Sequence, residues 1–115
     1  MPSRSSRSSS SFALLAAALG LLSIGLGAAA PAATPTTHTV VMEAVSFQPA
    51  DLTVHVGDSV VWVNKDPFPH TVTSDRFDSK IIAADGSWRY TAKARGEFPY
   101  VCTLHPTMKG ILRVQ

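Results

Sequence analysis

From His38 to the C-terminus, apolar residues recur at every second position in short runs, and this period limits the fold more than any other feature of the chain. Val40, Met42 and Ala44 alternate with Val41, Glu43 and Val45, while Leu52, Val54 and Val56 alternate with Thr53 and His55. A β-strand sends successive side chains to opposite faces, so such alternation marks strands with one buried face. Gly57-Asp58 then turns the chain into Val60-Val61-Trp62-Val63, which is apolar on both faces. Further strands are expected over Thr71–Ser74, Trp88–Ala92, Phe98–Cys102 and Gly110–Val114, with Asp85-Gly86 and Arg95-Gly96 as turn signals. Asp75–Ala84 carries no clear period. Short strands at this spacing, with no helical pattern beyond His38, predict a small antiparallel sandwich or barrel. At 115 residues the chain has room for one such domain, residues 38–115.

The N-terminal region is different in kind. Arg4 and Arg7 lie among serines, an apolar Leu/Ala-rich run extends from Phe12 to Ala30, and Ala30-Pro31-Ala32-Ala33 follows. This is the layout of an export signal over residues 1–32, cleaved after Ala32 with Ala30 at −3. The alternative is a retained anchor, since the run approaches the roughly 20 residues that span a bilayer. Three glycines, a serine and the cleavage-like motif favour removal. Export places the domain in the periplasm or outside the cell, and membrane association follows only if the segment is kept. Residues 33–37 read as a flexible lead-in. Arg4 and Arg7 are two of ten basic residues, and the other eight offset eight acidic ones. The sequence pI of about 9.0 therefore belongs to the leader. Past Arg7 the Lys and Arg residues are too scattered to track phosphates, which excludes nucleic acid as a partner.

Removing 32 of 115 residues would leave 83, a size at which disulfides or metals often support the core. Cys102 is the only cysteine, so no disulfide forms within the chain. A lone thiol in an exported protein is open to oxidation unless something occupies it. It lies in Tyr100-Val101-Cys102-Thr103-Leu104-His105-Pro106-Thr107-Met108-Lys109-Gly110, and His70 closes an earlier loop, Asn64-Lys65-Asp66-Pro67-Phe68-Pro69-His70. A thiolate, two imidazoles and a thioether form a soft donor set suited to one copper ion cycling between Cu(I) and Cu(II). Zinc would favour further Cys, His or carboxylate ligands over Met. His70, Cys102 and His105 would form a trigonal plane with Met108 as a weak axial ligand, and Pro106 is expected to help this loop turn back. His38, in the lead-in, and His55, on a polar strand face, are expected to be solvated. Trp62 and Trp88 are expected in the core.

The pattern His70 … Cys102-x-x-His105-x-x-Met108 resembles that of the blue copper proteins, the cupredoxins, and its His-to-Met gap is similar to that of the amicyanin type. Plastocyanins are similar but have a longer gap there. Val56-Gly57-Asp58 and Val60-x-Trp62-x-Asn64 extend the resemblance, which runs from Phe47 to Val114. Leu104 departs from it, standing where amicyanins usually carry proline. The resemblance implies an all-β, antiparallel Greek-key β-sandwich holding one type 1 copper. It implies that Asn64 ties the His70 loop to the Cys102 loop near Thr103. It also implies that Pro67, Phe68, Pro69, Leu104 and Pro106 ring His105 as a partner-docking patch. The implied activity is single-electron shuttling by a monomer with a redox partner such as a c-type cytochrome, an oxidase or a dehydrogenase. Storage, delivery or resistance handling of copper is the alternative. Four protein ligands leave no open position for catalysis. A cysteine hydrolase built on Cys102 and His105 would need an oxyanion loop, and no Gly-rich segment supplies one.

Overall fold

The computed structural model describes residues 34–115 together with the single positions Ser3, Gly20 and Gly25. The expected export segment therefore lies outside the described residues, apart from those positions. Seven strands are present: β1 (Thr37–Glu43), β2 (Ser46–Gln48), β3 (Asp51–Val54), β4 (Ser59–Asn64), β5 (Ser87–Thr91), β6 (Gly96–Cys102) and β7 (His105–Val114). Among the described residues there is no helix. The strands form two sheets, ordered β2-β1-β4-β5 and β3-β7-β6.

The period of two does what the sequence requires. In β1, Val40 and Met42 are buried, and in β4, Val60, Trp62 and Asn64. On β6 the inward residues are Tyr100 and Cys102, and on β7 Met108, Leu112 and Val114. Aromatic rings fill the space between the sheets. Trp62 meets Tyr100 edge-on at 5.6 Å, Phe47 meets Tyr100 at 4.7 Å, and Phe77 packs on Tyr90 at 4.6 Å. Trp62 is fully buried, whereas Trp88 is half-buried against the cluster. Gly110 is required by this packing, because a Cβ there would lie 2.4 Å from Tyr100 Cζ. Burial pushes the Tyr100 phenol up to about 12, so it stays neutral in the core.

The sandwich is as expected, but its sheets are mixed. β1 pairs with β4 in parallel (Val40 opposite Trp62), and β3 pairs with β7 in parallel (Leu52 opposite Leu112). The other pairings are antiparallel. Alternation reports which face of a strand is buried and says nothing of its neighbour's direction. Here the chain leaves the first sheet after β2, enters the second as β3, and returns as β4 alongside β1. Thr71–Ser74, expected as a strand, makes only isolated bridges: Thr73 pairs with Asp78 and with Val101, beside a bridge between His70 and Ile82. Its backbone is shared between two neighbours, so no ladder propagates. β2 is too short to show a period in the sequence.

The lead-in is shorter than expected, and one carboxylate is the reason. Asp58 accepts hydrogen bonds from Thr36 N (2.9 Å), His55 N (3.0 Å) and His38 Nε2 (2.9 Å). His38 is therefore a strand residue paired with Asp58 and not a solvated one, while His55 remains exposed. Gly57, at φ 95°, supplies the left-handed residue of the turn that presents this carboxylate. The backbone N–H groups of Thr36 and His55, then the His38 ring, hold the Asp58 carboxyl well below the ordinary carboxylate range. A carboxyl depressed in the folded state adds stability above its unfolded pKa of about 3.9 and loses it as the pH falls toward the folded value. Asp58→Asn is accordingly expected to unfold at lower urea than the parent near pH 7, with the gap closing as the pH drops below about 4. Urea titrations across that range check it.

Candidate metal centre

Two strand ends and one loop build the site. Cys102 ends β6 on its buried face, in step with Tyr100, and is fully buried. Thr103 and Leu104 form a two-residue turn, after which His105 opens β7 opposite Cys102. The next paired position on β7 is Lys109, opposite Val101, so β7 moves four residues while β6 moves one. Pro106, Thr107 and Met108 are thus unpaired extras looped out of the ladder. In a regular strand, residues three apart face opposite sides. The excursion removes that restriction, so His105 can face Cys102 while Met108 stays buried in the core cluster that also holds Cys102. Pro106 is expected to help this loop turn back, while Thr103 and Leu104 make the turn itself. Pro106 lies instead in the excursion, where its missing N–H suits a break in the ladder.

His70 comes from the long connection between β4 and β5, and it is fully buried. Its Nδ1 lies 3.6 Å from Cys102 Sγ, and His105 Nδ1 lies 3.6 Å from the same sulfur. The three donor atoms all fall within 4.8 Å of one another. In a trigonal plane with bonds of about 2.0–2.3 Å, neighbouring donors stand roughly 3.5–4 Å apart, so this triangle fits one ion. Among the described residues His70, Cys102 and His105 are the one cluster of this kind, and neither His38 nor His55 belongs to it.

Asn64 and Thr103 are placed differently from expectation. Fully buried Asn64 donates to Phe68 O (2.9 Å) and Ile82 O (3.1 Å) and accepts from Asp66 N (2.9 Å), so it braces the His70 loop internally and does not reach Thr103. Thr71 makes the inter-loop tie. Its Oγ1 accepts from Thr103 N (2.9 Å) and is 3.0 Å from Thr103 Oγ1, while its N–H donates to Cys102 Sγ (3.3 Å). Position 64 is too far back to span both loops, whereas Thr71 faces the second one directly. Asp66 is a second contact that the sequence pattern does not reveal: its Oδ2 is 2.7 Å from His70 Nε2, and the carboxylate accepts from Ala44 N and Val45 N. Burial acts to raise the Asp66 carboxyl, but the hydrogen bonds from His70, Val45 and Ala44 together outweigh it and hold the group below its ordinary value. The signal for both residues was sequence proximity to His70, an acid four before it and a hydroxyl one after it.

His105 is half-buried, with the Phe68 ring 5.4 Å away, and Phe68 also stands edge-on to His70 at 5.3 Å. Pro67, Phe68, Pro69, Leu104 and Pro106 are exposed. Cys102, in contrast, has no exposed surface, which removes it from reach as a nucleophile.

A mixed β-sandwich with a Cys/His2 triangle at its strand ends defines a small metal-binding domain. A family model of the cupredoxin-like domain matches residues 12–114, and the chain belongs to that family. Amicyanin of Paracoccus versutus is 28% identical over 81 residues, 64% of this chain and 61% of that protein. A reduced amicyanin with a proline-to-phenylalanine change matches at TM-score 0.64 and 27% identity, over 69% of this chain and 82% of that one. A copper-containing nitrite reductase from Thermus scotoductus SA-01 matches at TM-score 0.66 and 32% identity, over 73% of this chain and 23% of that one. The chain spans 61%, 66% and 60% of the length of three amicyanins it resembles.

Thr71→Val keeps the shape but leaves Thr103 N without its acceptor. Metal-free Thr71→Val is expected to lose about 1 kcal/mol in urea unfolding, and Thr71→Ser a few tenths at most.

Proposed function

We propose that the protein is a type 1 copper electron carrier whose copper would be held by His70, Cys102, His105 and Met108. The observation that carries this reading is the triangle of Cys102 Sγ and two imidazole Nδ1 atoms at 3.6 Å from the sulfur, already assembled in the folded chain. A bound copper would supply one-electron exchange between Cu(II) and Cu(I). The protein's own contribution is rigidity. Thr71 N–H donates to the sulfur and fixes its position, Thr71 Oγ1 locks the two ligand loops together, and Asn64 fixes the loop that carries His70. Donors held in one arrangement need little rearrangement when an electron arrives or leaves. Four protein donors leave no open coordination position, which supports a carrier over an enzyme.

Electrons enter and leave at half-buried His105, within the apolar surface of Pro67, Phe68, Pro69, Leu104 and Pro106. A small apolar patch suits brief contact with a redox protein such as a c-type cytochrome, an oxidase or a dehydrogenase, with an interface below about 1,200 Å². The leader composition supports export to the periplasm or beyond, with the domain working as a monomer.

Adding Cu(II) is expected to give an intensely blue protein that bleaches on reduction, through thiolate-to-copper charge transfer. Cys102→Ser abolishes the colour and His55→Ala leaves it; a pale complex in the parent protein would overturn the type 1 assignment. Phe68→Glu is expected to slow exchange with a c-type cytochrome about tenfold, equivalent to ~1.4 kcal/mol at the docking surface, without changing the colour. Stopped-flow kinetics measure this. Rapid copper release to an acceptor protein with little redox turnover would instead mark a storage or delivery role.

A further inference from the structure

The geometry behind His70 reaches from the ion-binding face to the opposite side of the loop. His70 is fully buried, and its two ring nitrogens face different partners: Nδ1 toward Cys102 Sγ and Nε2 toward Asp66 Oδ2 at 2.7 Å. Asp66 is itself buried, with Ala44 N–H on Oδ1 at 2.8 Å and Val45 N–H on Oδ2 at 3.0 Å. Its own N–H is held by Asn64 Oδ1. Ala44 and Val45 are the two central residues of the β1–β2 hairpin, and both are left-handed, at φ 51° and 55°. Such a turn normally selects Asn or Gly, and a β-branched valine is strained there. The strained turn directs both N–H groups at one carboxylate, and the Val45 side chain packs on the core and anchors it.

Three donors thus converge on two oxygens. A carboxylate accepts at both, whereas an amide in the same place accepts at only one. A neutral imidazole facing Asp66 must carry its proton on Nε2, which leaves the Nδ1 lone pair free for a metal. The negative charge lies behind one ligand, shielded from water, and it favours the more highly charged of two metal oxidation states.

We propose that Asp66, gripped by the β1–β2 turn, is a positioning residue that fixes the Nε2–H tautomer of His70 and biases the site toward Cu(II), lowering its reduction potential. The proposal rests on the copper reading, and the test separates the two. Asp66→Asn removes the charge and one acceptor, so the amide oxygen keeps His70 Nε2–H only by releasing a turn N–H. The Cu(II)-over-Cu(I) preference is expected to fall about tenfold, a rise of ~59 mV for one electron, with blue colour retained. Asp75→Asn, which removes the same charge at an exposed position, leaves the potential where it was.

A second measurement needs neither copper nor a variant. Nitrogen-15 NMR of the metal-free parent is expected to show His70 as the Nε2–H tautomer with a slowly exchanging ring proton. An Nδ1–H tautomer in the parent, or a potential unchanged in Asp66→Asn, overturns the proposal. Absence of blue colour in the parent overturns the copper reading and leaves the tautomer result standing by itself.

Discussion

The pleat of two strands governs this molecule, because the alternation that buries its core continues one step too far at two strand ends. On β4 the inward series Val60, Trp62 ends in Asn64, and on β6 the inward series ending at Tyr100 runs on to Cys102. A polar amide and a thiol are thereby carried into the interior by the same geometry that packs the aromatic rings. A buried amide without partners would be costly, so the chain folds around it. The connection between β4 and β5 wraps Asn64 with two carbonyls and an N–H, and in doing so it delivers His70 to Cys102.

The site is consequently part of the fold and not an addition to its surface. Asp66 joins His70 to the first hairpin, Thr71 joins the two ligand loops, and Thr73 exchanges backbone hydrogen bonds with Val101 on β6. That last pairing also identifies which way the free edge of β6 faces. Val101 points its N–H and C=O away from β7, so Pro99, two residues earlier, faces outward too. An edge lacking an N–H at that position resists pairing with another chain. At the far end of the sandwich Asp58 gathers Thr36, His38 and His55 and closes the N-terminal strand against β4.

Legibility in the sequence followed the range of the interaction. Val40, Met42, Trp62 and Leu112 announced their burial by period, and the cysteine, two histidines and methionine announced a soft site by chemical type. Asp66 and Thr71 did not stand out, because a hydrogen bond to a ring nitrogen or a loop hydroxyl leaves no periodic trace. Asn64 stands out as important, yet its partners Phe68, Ile82 and Asp66 all lie on the connection that carries His70 and not near Thr103. His38 looked solvated because its partner, Asp58, lies 20 residues away.

By itself, then, the sequence determined the strands with a regular alternation, the burial of their inward faces, the turn at Gly57 and the identity of the four candidate donors. These depend on neighbours along the chain, on side-chain size and on donor softness. Only the tertiary structure decided the parallel pairings, the three-residue excursion at Pro106–Met108, the bridge-only path of Thr71–Ser74 and the chain of contacts from the Ala44-Val45 turn through Asp66 to His70. These depend on how elements from separate parts of the chain pack as two sheets on one core, a condition no local pattern encodes.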